Sequence, residues 1–564
     1  MHDGPRTARG SDRCTARCTA RILDALDRDG DRPVLHATSG STTAGALSAA
    51  VAGAVQVLSG RGVGPGQTVA VLTATNRPAT LAARYAAHLL GAATAHIRSN
   101  NPRGDDAGLA AAQQRHLLDA TGSTVLVVDA EHLDRGRELV AVTGPRCALA
   151  AFEPLGDDVL QLRSTDPGPL PVVVPADTDV AVIGTTSGTS SQPRATCHTF
   201  AAWGATVASF PGAGDAGGPG TLLVVTPLSH TVAPMADAVL AAGGTLVLHD
   251  HFDADGVWRA IGEHRVTDVY VAVPHLNQLL DAAARTTVDT SSLRRVIYSG
   301  SPAAPRRIAA AVGLLGASLV QLYGTTEAGG IASLTALDHA EPELHGTVGR
   351  PFPWVDVELR EPGRRTVVPR GETGQVWVRS STVMAGYLDD VDGTAAVLQD
   401  GWLDTGDLGR WDAYGYLHLR GRTGDVIKSR GLKVHPAAVE VALLEHEDVV
   451  GAAAFGAMSS DDVESVHAVV VLRPGATGTV DGLRVAVGRR LDPAHVPTTL
   501  VVLDRIPLTP SGKADRARLR AAVDRAVAGP GAGRRRSGAR RNSGVAVRGV
   551  QSAATAAAES GRGT

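Results

Sequence analysis

Residues 179–196 read DVAVIGTTSGTSSQPRAT, an apolar run followed directly by a loop dense in Ser, Thr and Gly. The apolar run is short and rich in Val and Ile, which predicts a buried β-strand. The loop offers backbone N–H groups and hydroxyls, all donors, to an anion such as a phosphate chain. It lacks the G-x-x-x-x-G-K-[ST] spacing of a Walker loop. On these residues alone, a phosphate-binding loop and a polar surface loop both remain open.

Short apolar runs of the same kind recur on both sides of this stretch, and helical patterns separate them. They are TVAVLT at 68–73, TVLVVD at 124–129, TLLVVTP at 221–227, TLVLHD at 245–250, DVYVAV at 268–273, RRVIYSG at 294–300 and SLVQLYG at 318–324. A long Ala/Leu helix pattern also runs to Leu90. Such alternation predicts mostly parallel sheets covered by helices. The fold class of this region is therefore α/β.

The pattern changes twice further along the chain. Between about 346 and 420, alternating segments separated by Gly, Pro and Asp predict a small antiparallel sheet or β-barrel. Residues 421–525 carry new helix and strand patterns, which predict a smaller α+β C-terminal domain. We therefore expect a large N-terminal domain over 21–420 and a second domain over 421–525. The ends, 1–20 and 526–564, are expected to be disordered, the latter with seven Arg against one Glu.

Composition excludes several classes of function. The 54 Lys and Arg balance 57 Asp and Glu to a net charge of −3, which does not indicate nucleic-acid binding. No apolar run reaches the roughly 18 residues of a membrane span, and the first twenty residues lack an apolar signal core. The four cysteines form neither a disulfide framework nor a zinc motif. These observations predict a cytoplasmic protein.

Lysine is rare in this chain. Of the 54 basic residues, only Lys428, Lys433 and Lys513 are lysines. Because Arg has replaced Lys wherever either would serve, the three survivors are candidates for sites that need a compact ammonium group. Chance placement of a rare residue is the alternative.

Three further stretches suit a nucleotide. In QLYGTTEAGG at 321–330, glycines permit close approach of a ligand, Tyr323 offers a stacking face, and Thr326 and Glu327 offer hard oxygen ligands for Mg²⁺. In WLDTGDLGRW at 402–411, Asp407 could accept both hydroxyls of a ribose, and Arg422 could reach the same nucleotide. Lys513 lies in the Pro/Gly loop of PLTPSGKADRARL. An exposed acid, a capped turn, a surface arginine and a solvated lysine are the ordinary alternatives.

Taken in their order along the chain, these blocks resemble those of the adenylate-forming superfamily of acyl- and aryl-CoA synthetases, luciferases and amino-acid adenylation domains. The family's T-S-G-T-T-G-x-P-K-G, Y-G-x-T-E, T-G-D, G-R-x-x-x-x-I-K and P-x-G-K blocks are similar to residues 186–195, 323–327, 405–407, 421–428 and 510–513. PLSH at 227–230 looks like a further block, which ends at the acyl pocket. The resemblance covers roughly residues 20–525. It implies a C-terminal domain that is mobile between half-reactions.

The resemblance implies a two-step reaction. A carboxylate attacks the α-phosphate of MgATP to give an acyl-adenylate, and the thiol of CoA then displaces AMP. ATP, Mg²⁺ and CoA are the implied cofactors and co-substrate, and an aryl or medium-chain acid is the implied partner. A carrier-protein thiol as acceptor, or activation of nitrite for N–N bond formation, remains an alternative. A nucleotide-binding pseudo-enzyme is a third hypothesis, against which the presence of Lys513 and Glu327 argues.

The resemblance also implies roles for individual residues. Those at the reacting centre are Lys513, Glu327, Thr326 and His230, with Glu327 on the metal. Those for ATP or AMP are Thr186, Ser187, Gly188, Thr189, Ser190, Arg194, Gln321, Tyr323 (stacked on adenine), Gly324, Thr325, Thr326, Asp407 and Arg422. Those for the thioester step are Lys428, Arg430, Gly431 and Lys433, with Gly424 as the hinge. Those of the acyl pocket are His230, Ser299, Gly300, Ser301, Ala328, Gly329 and Gly330.

The chain departs from the family pattern at several positions. Ser191 and Ala195 replace glycines of the phosphate loop, and Arg194 replaces its lysine while keeping the charge. The hinge, usually Asp or Lys, is Gly424. Glycine keeps the backbone free to rotate but removes a side-chain contact, so we expect the thioester step to be affected more than adenylation.

Overall fold

The computed structural model describes most of the chain. Its residues are 15–97, 109–143, 146–164, 170, 173–185, 194–210, 218–285, 287–429, 432–458, 464–473, 475–507, 514–528 and 547–552. Eight predicted site residues lie outside these ranges: Thr186, Ser187, Gly188, Thr189, Ser190, Arg430, Gly431 and Lys513.

The helices of the described part cover both domains. They are α1 (Thr15–Asp27), α2 (Ala44–Gly60), α3 (Pro78–Leu89), α4 (Ala111–Ala120), α5 (Leu133–Thr143), α6 (Phe200–Ser209), α7 (Val232–Ala241), α8 (Ala254–His264), α9 (Val273–Ala283), α10 (Pro305–Leu315), α11 (Val391–Val397), α12 (Pro436–Leu444), α13 (Val480–Arg490) and α14 (Arg516–Ala528). Four of them, α3, α9, α10 and α12, have proline at the first or second position, where its missing N–H costs no hydrogen bond. Within the described ranges, no helix is long and apolar enough to cross a membrane.

The first sheet contains the strand that precedes the Ser/Thr/Gly loop. Its order is β19 (Gly386–Tyr387), β9 (Ala195–Thr199), β8 (Val180–Thr185), β4 (Ala93–His96), β3 (Thr68–Leu72), β5 (Val125–Val128), β6 (Ala148–Ala151) and β7 (Leu160–Gln161). The pairs from β8 to β7 are parallel, whereas β9 and β19 are added antiparallel. The strands predicted near residues 68, 124 and 179 are therefore confirmed.

The second sheet has nine strands in the described part of the chain. Its order is β16 (Arg350–Pro351), β15 (Gly329–Leu334), β14 (Leu319–Thr325), β13 (Arg295–Ser299), β12 (Asp268–Ala272), β10 (Thr221–Val224), β11 (Thr245–Leu248), β1 (Pro33–Ala37) and β2 (Gly40–Thr43). The pairs from β14 to β1 are parallel, as the apolar runs predict. Helices α2, α3 and α7 lie between the two sheets, because their buried residues share one core cluster with β3, β10 and β11. The two sheets therefore enclose a common helical layer.

The alternating segments after residue 346 form a small antiparallel sheet. Its strands are β17 (Val355–Arg360), β18 (Thr373–Ser380), β20 (Leu398–Gln399), β21 (Trp402–Trp411) and β22 (Leu417–Arg422). The sheet has its own buried core, which includes Val376, Val378 and Leu417.

The C-terminal domain is α+β. It begins with the hairpin β23 (Ile427–Ser429) and β24 (Leu432–Val434), followed by a sheet of β25 (Val449–Met458), β26 (Glu464–Leu472), β27 (Thr499–Leu503) and β28 (Val547–Ser552). Helices α12 and α13 contribute Val439, Leu443, Leu483 and Val487 to its core. The predicted fold class, a large α/β domain followed by a smaller α+β domain, is confirmed.

Two predictions of disorder are wrong in part. Helix α1 begins at Thr15 and includes the last six residues of the segment 1–20, because Ile22 and Leu26 anchor the helix in the core with 1% and 0% exposure. Strand β28 lies within the tail 526–564, because the open edge of β27 accepts an antiparallel partner. Strand β25 was also missed, since VVGAAAFGAM is rich in Ala and Gly, which favour strands weakly.

Candidate active site

A cavity of about 190 Å³ lies between the edges of the two large sheets. On one side it contacts Gly184 and Thr196, which lie on the two strands, β8 and β9, on either side of the Ser/Thr/Gly loop. On the other side it is lined from the carboxyl ends of β10, β12, β13 and β14, where ligands bind in parallel sheets of this type. Five of the seven predicted acyl-pocket residues line it: His230, Ser299, Gly300, Gly329 and Gly330.

The other two predicted pocket residues behave differently. Ala328 is only 2% exposed, belongs to the core beneath the antiparallel sheet and is not among the described residues that line the cavity. Its carbonyl accepts a hydrogen bond of 2.7 Å from the Thr382 hydroxyl. Ser301 is partly exposed and is not among the described residues that line the cavity.

The backbone requires glycine at two positions of the 321–330 stretch, one because of close packing and one because of its positive φ. A Cβ on Gly324 would lie 2.2 Å from the carbonyl oxygen of Gly329, so only glycine lets β14 and β15 approach here. Gly329 itself has φ of +73°, in the left-handed region that favours glycine. Nearby, the carbonyl of Gln321 accepts a hydrogen bond from the Ser333 hydroxyl. These residues shape one wall of the cavity and hold the turn that follows.

That turn presents Glu327 beside the cavity. The Tyr387 hydroxyl donates a hydrogen bond of 3.1 Å to Oε1 of Glu327. Burial and the negative charge of Glu327 raise the pKa of Tyr387 to about 12. The Arg194 guanidinium lies 5.0 Å from the centre of the Tyr387 ring, and its Nε is 3.6 Å from Asp390. Arg194, at the end of the Ser/Thr/Gly loop, is therefore adjacent to the group that holds the Glu327 carboxylate.

Thr325 and Thr326 connect β14 to this carboxylate. Both line the cavity, and the Thr325 hydroxyl accepts a hydrogen bond from the backbone of Ala328, which closes the turn around Glu327. The Thr326 carbonyl lies 2.9 Å from Nε2 of His198. Since a carbonyl can only accept, Nε2 carries the proton. Burial lowers the pKa of His198, so the ring is a neutral donor that fixes the Thr326 backbone.

Asp407 is held from both sides. The Tyr323 hydroxyl donates to its Oδ2 at 2.7 Å, and Nε of Arg422 donates to its Oδ1 at 2.8 Å. Burial and the Asp407 charge raise the pKa of Tyr323 well above its usual range. The pKa of Arg422 is also raised, first by the charge of Asp407 and to a smaller extent by that of Glu327. The Asp407 carboxylate is therefore fixed between the Tyr323 hydroxyl and the Arg422 guanidinium.

The contact between Tyr323 and Asp407 was missed by the sequence analysis. Tyr323 was predicted to stack on adenine, which stays a prediction, but its hydroxyl positions the carboxylate expected to bind the ribose. The Asp407 turn has further support, since Asp404 accepts from the Gly406 N–H at 2.8 Å and Gly406 has φ of +71°. The T-G-D motif was the visible signal, whereas its supporting acid Asp404 was not singled out.

A buried ion pair supports the opposite wall of the cavity. Arg84 of α3 pairs with Asp237 of α7, and their side chains are 0% and 4% exposed. Asp237 also accepts hydrogen bonds from the Tyr85 hydroxyl at 2.7 Å and from Nε1 of Trp203 at 3.2 Å. Because Trp203 lines the cavity, this network fixes part of its wall. No motif in the sequence indicates this network.

The same arginine holds the loop that bears His230. Nη1 of Arg84 donates to the carbonyl of Leu228 at 3.2 Å, and the Leu228 N–H donates to Oδ1 of Asn76 at 3.0 Å. Burial, together with the charges of Arg84 and His230, lowers the pKa of His96 to about 3. His230 is thus presented from a loop whose backbone is fixed on both sides.

Two described residues that were predicted for the thioester step lie on the first hairpin of the C-terminal domain. Lys428 and Lys433 are directly paired across β23 and β24, and both are exposed. Gly424 lies in a 3₁₀ turn over Thr423–Asp425, and a Cβ there would meet no atom within 4 Å. Arg306 of α10 donates a hydrogen bond to the Val449 carbonyl, which joins the two domains. The roles of these lysines and of Gly424 stay predictions.

The donor set around Glu327 fits Mg²⁺ that arrives with a nucleotide. Among the residues that the structure describes, no group of three or more His, Cys, Asp and Glu is arranged to hold a metal ion. Mg²⁺ is commonly bound through one or two carboxylates together with substrate phosphates and water. A single carboxylate beside a phosphate-binding loop meets that requirement.

Comparisons with known proteins agree with this geometry. The model of the AMP-binding enzyme family matches residues 23–388, and that of the AMP-binding enzyme C-terminal domain matches residues 438–513. A feruloyl-CoA synthase from an Amycolatopsis species is 33% identical over 471 residues, which cover 83% of this chain and 91% of that protein.

Two solved structures are also similar. The amide bond synthetase from Marinactinospora thermotolerans is 35% identical with a TM-score of 0.80, covering 90% of this chain and 99% of that one. The O-succinylbenzoate Coenzyme A synthetase from Bacillus subtilis, in complex with ATP and magnesium ion, is 25% identical with a TM-score of 0.73, covering 89% and 99%.

Proposed function

Because the chain belongs to the family of AMP-binding enzymes, we propose that it uses MgATP to adenylate a carboxylic acid and transfers the acyl group to the thiol of CoA. The products are an acyl-CoA, AMP and pyrophosphate, and the acid is aryl or medium-chain acyl. What supports the proposal is the Asp407 carboxylate held by Tyr323 and Arg422, together with Glu327 in the turn beside a cavity of about 190 Å³. The reaction is proposed to take place in the cytoplasm.

The nucleotide is held by residues on three segments. Asp407, oriented by Tyr323 and Arg422, accepts hydrogen bonds from the ribose hydroxyls. The loop 186–190 and Arg194 bind the β- and γ-phosphates, and Thr326 lies beside the α-phosphate. Mg²⁺, which Glu327 would help to hold, neutralises charge on the phosphate oxygens when it is bound.

In the first step an oxygen of the carboxylate attacks the α-phosphorus. A P–O bond forms to the acid, the bond to the bridging oxygen breaks, and pyrophosphate leaves with the electron pair. Lys513 stabilises the negative charge that builds up on these oxygens, an electrostatic contribution of the kind that dominates phosphoryl-group chemistry. His230 borders the acyl group.

In the second step the sulfur of CoA attacks the acyl carbon, and the C–O bond to AMP breaks. Rotation of the C-terminal domain about Gly424 would move Lys513 away and bring Lys428, Arg430, Gly431 and Lys433 to the CoA side. Lys428 and Lys433 support this role because they lie exposed and paired on one hairpin.

A second candidate function changes only the acceptor. An amine in place of CoA would give an amide, and the 35% identity to an amide bond synthetase over 90% of this chain favours it. The acyl-adenylate is the same in both cases, so the two candidates differ in the nucleophile alone. A carrier-protein thiol is a further acceptor, and nitrite is a further substrate, to include in the test.

The test is pyrophosphate release with MgATP across aryl acids, fatty acids and nitrite, without acceptor, with CoA, or with an amine. We expect pyrophosphate with an acid and a thioester with CoA. An amide without a thioester would favour the second candidate, and no pyrophosphate with any substrate would contradict adenylation and favour a pseudo-enzyme. Lys513→Ala should lower adenylation about 10²- to 10³-fold while the protein stays folded; unchanged release would contradict its role.

A further inference from the structure

The walls of the cavity indicate what kind of acid it accepts. Aromatic and apolar side chains line much of it, among them Trp203, Phe210, Val225, Pro234 and Leu322. Trp203 is fixed by its hydrogen bond to the buried Asp237, so the indole is held in a defined orientation. Rigid aromatic faces suit a planar ring, against which they can stack.

No Asp, Glu, Lys or Arg side chain lines the cavity among the residues that the structure describes. A second carboxylate or an ammonium group on the substrate would therefore be buried without a counter-charge, which is strongly unfavourable. The cavity walls thus select an acid whose single charge is the reacting carboxylate.

Neutral hydrogen-bonding groups are nevertheless present on one wall. Tyr270, Ser299 and Thr231 all line the cavity. Burial raises the pKa of Tyr270, and hydrogen bonding by Ser299 and Thr231 acts in the opposite direction. Thr226 also lines the cavity and is 9% exposed, and its hydroxyl has no hydrogen-bond partner within the described residues. Buried polar groups are normally paired, so this wall is built to receive a polar group.

The order of strands sets the distance between this wall and the reacting centre. Thr325 and Thr326 follow from β14, whereas Tyr270 lies on β12, two strands away in the order β14, β13, β12. Two strand spacings amount to roughly 10 Å. Tyr270 also precedes Ala272 by two residues and so lies on the same face but deeper in the sheet. The Tyr270 end of the polar wall is therefore far from the carboxylate end of a bound acid, with Ser299 on the intervening strand β13.

We infer that the substrate is an aromatic monocarboxylic acid with a neutral hydrogen-bonding group, such as a hydroxyl or a ring N–H, at the end far from its carboxylate. Tyr270, Ser299 and Thr226 bind that group and determine specificity. An unsubstituted fatty acid would place a methyl group against these hydroxyls and would leave that of Thr226 without a partner among the described residues. The inference rests on the proposed function, whose adenylation step it refines.

The experiment compares matched acids that differ only in the polar group. The pairs are 4-hydroxycinnamate with cinnamate, 4-hydroxybenzoate with benzoate, and indole-3-acetate with its N-methyl derivative; 4-carboxycinnamate and decanoate complete the set. The readout is kcat/KM from pyrophosphate release with MgATP. We expect the polar member of at least one pair to be favoured about tenfold or more, the worth of one well-made hydrogen bond. The dicarboxylate and decanoate should be poor substrates.

Two variants test the residues. Tyr270→Phe should bring the ratio of kcat/KM between the polar and the unsubstituted acid close to one. Ser299→Ala should lower this ratio several-fold with less risk to folding. Tyr298→Phe is the matched control, because Tyr298 lies on the adjacent strand but faces the opposite core, where its hydroxyl contacts His339. The Tyr298→Phe variant should show the same ratio of kcat/KM between the two acids as the unmodified protein.

The possible outcomes distinguish a failure of this inference from a failure of the proposed function. Pyrophosphate release that favours decanoate, the dicarboxylate or the unsubstituted acids would overturn this inference and leave adenylation intact. A preference that survives in both Tyr270→Phe and Ser299→Ala would overturn the assignment of the polar wall. No release with any acid would overturn the proposed function and this inference with it.

Discussion

The Arg84–Asp237 pair and the Arg422–Asp407 pair have the same chemistry and different surroundings. The side chains of the first are 0% and 4% exposed, and those of the second are 43% and 11% exposed. Every oxygen of Asp237 is engaged by protein donors from α3 and α6, so no face is left for a ligand. Arg422 instead keeps an exposed side that a ligand could contact. Burial therefore separates an ion pair that joins helices from one that can act on a nucleotide.

The largest effect is expected at the buried pair. Arg84→Ala leaves the Asp237 carboxylate buried without its partner, and we expect the free energy of unfolding to fall by about 3–5 kcal/mol. Urea denaturation measures it. Arg422→Ala, at the half-exposed pair, should cost under ~1 kcal/mol.

A double variant sharpens this result. Arg84→Met with Asp237→Leu removes both charges and should recover much of the stability that Arg84→Ala loses. Equal losses for Arg84→Ala and Arg422→Ala would show that burial does not distinguish the two pairs.

The next effect is on nucleotide binding. Asp407→Asn keeps the shape of the side chain and removes the charge that Arg422 and the ribose hydroxyls share, so KM for ATP should rise about 10- to 100-fold. Pyrophosphate release at varied ATP concentration gives this value. Asp412→Asn is the control, because Asp412 is a carboxylate on the same hairpin that binds the backbone of Tyr414 and Tyr416 instead. A KM that rises equally in both variants would contradict a specific role for Asp407.

A smaller effect is expected from the tyrosine that supports Asp407. Tyr323→Phe keeps the ring and removes the hydroxyl that donates to Asp407, so KM for ATP should rise about 3- to 10-fold, the worth of one hydrogen bond. Tyr416→Phe removes a similar hydrogen bond, of 2.7 Å to Asp338, away from the cavity and should leave KM unchanged.

Tyr323→Leu then separates the two roles of this residue. If the ring also stacks on adenine, the leucine variant should bind ATP more weakly than the phenylalanine variant. Equal KM values in the two variants would limit Tyr323 to holding Asp407.

Much of the fold could be predicted because its signals are local. The Val-rich runs predict β3, β8 and β12, which are buried strands with few other ways to satisfy their backbone. Strand β25 was not predicted because Ala and Gly have a weak preference for strands, and its pairing with β26 stabilises the extended backbone instead. Tertiary pairing thus decides where local preference is weak.

Only those site residues that belong to recognisable sequence motifs could be predicted. Asp407 and Arg422 stand in recognisable blocks, and their contact follows from pairing between β21 and β22. Tyr323 and Asp407 are 84 residues apart and Arg84 and Asp237 are 153 apart, so no local pattern records these contacts. The place of Ala328 in the core could not be predicted, because a small residue in a turn can face the cavity or the core and only packing decides.

The smallest effect is expected two residues beyond Arg422, at Gly424. Since a Cβ there would meet no atom within 4 Å, Gly424→Asp should change the free energy of unfolding by no more than about 0.5 kcal/mol. Adenylation should stay near normal, and thioester formation from synthetic acyl-adenylate should be preserved or improved. Gly424→Pro, which fixes φ near −65°, should instead reduce one half-reaction much more than the other if the domains rotate here. Assaying the half-reactions separately decides this, because equal losses in the proline variant at an unchanged Tm would mean that the pivot lies elsewhere.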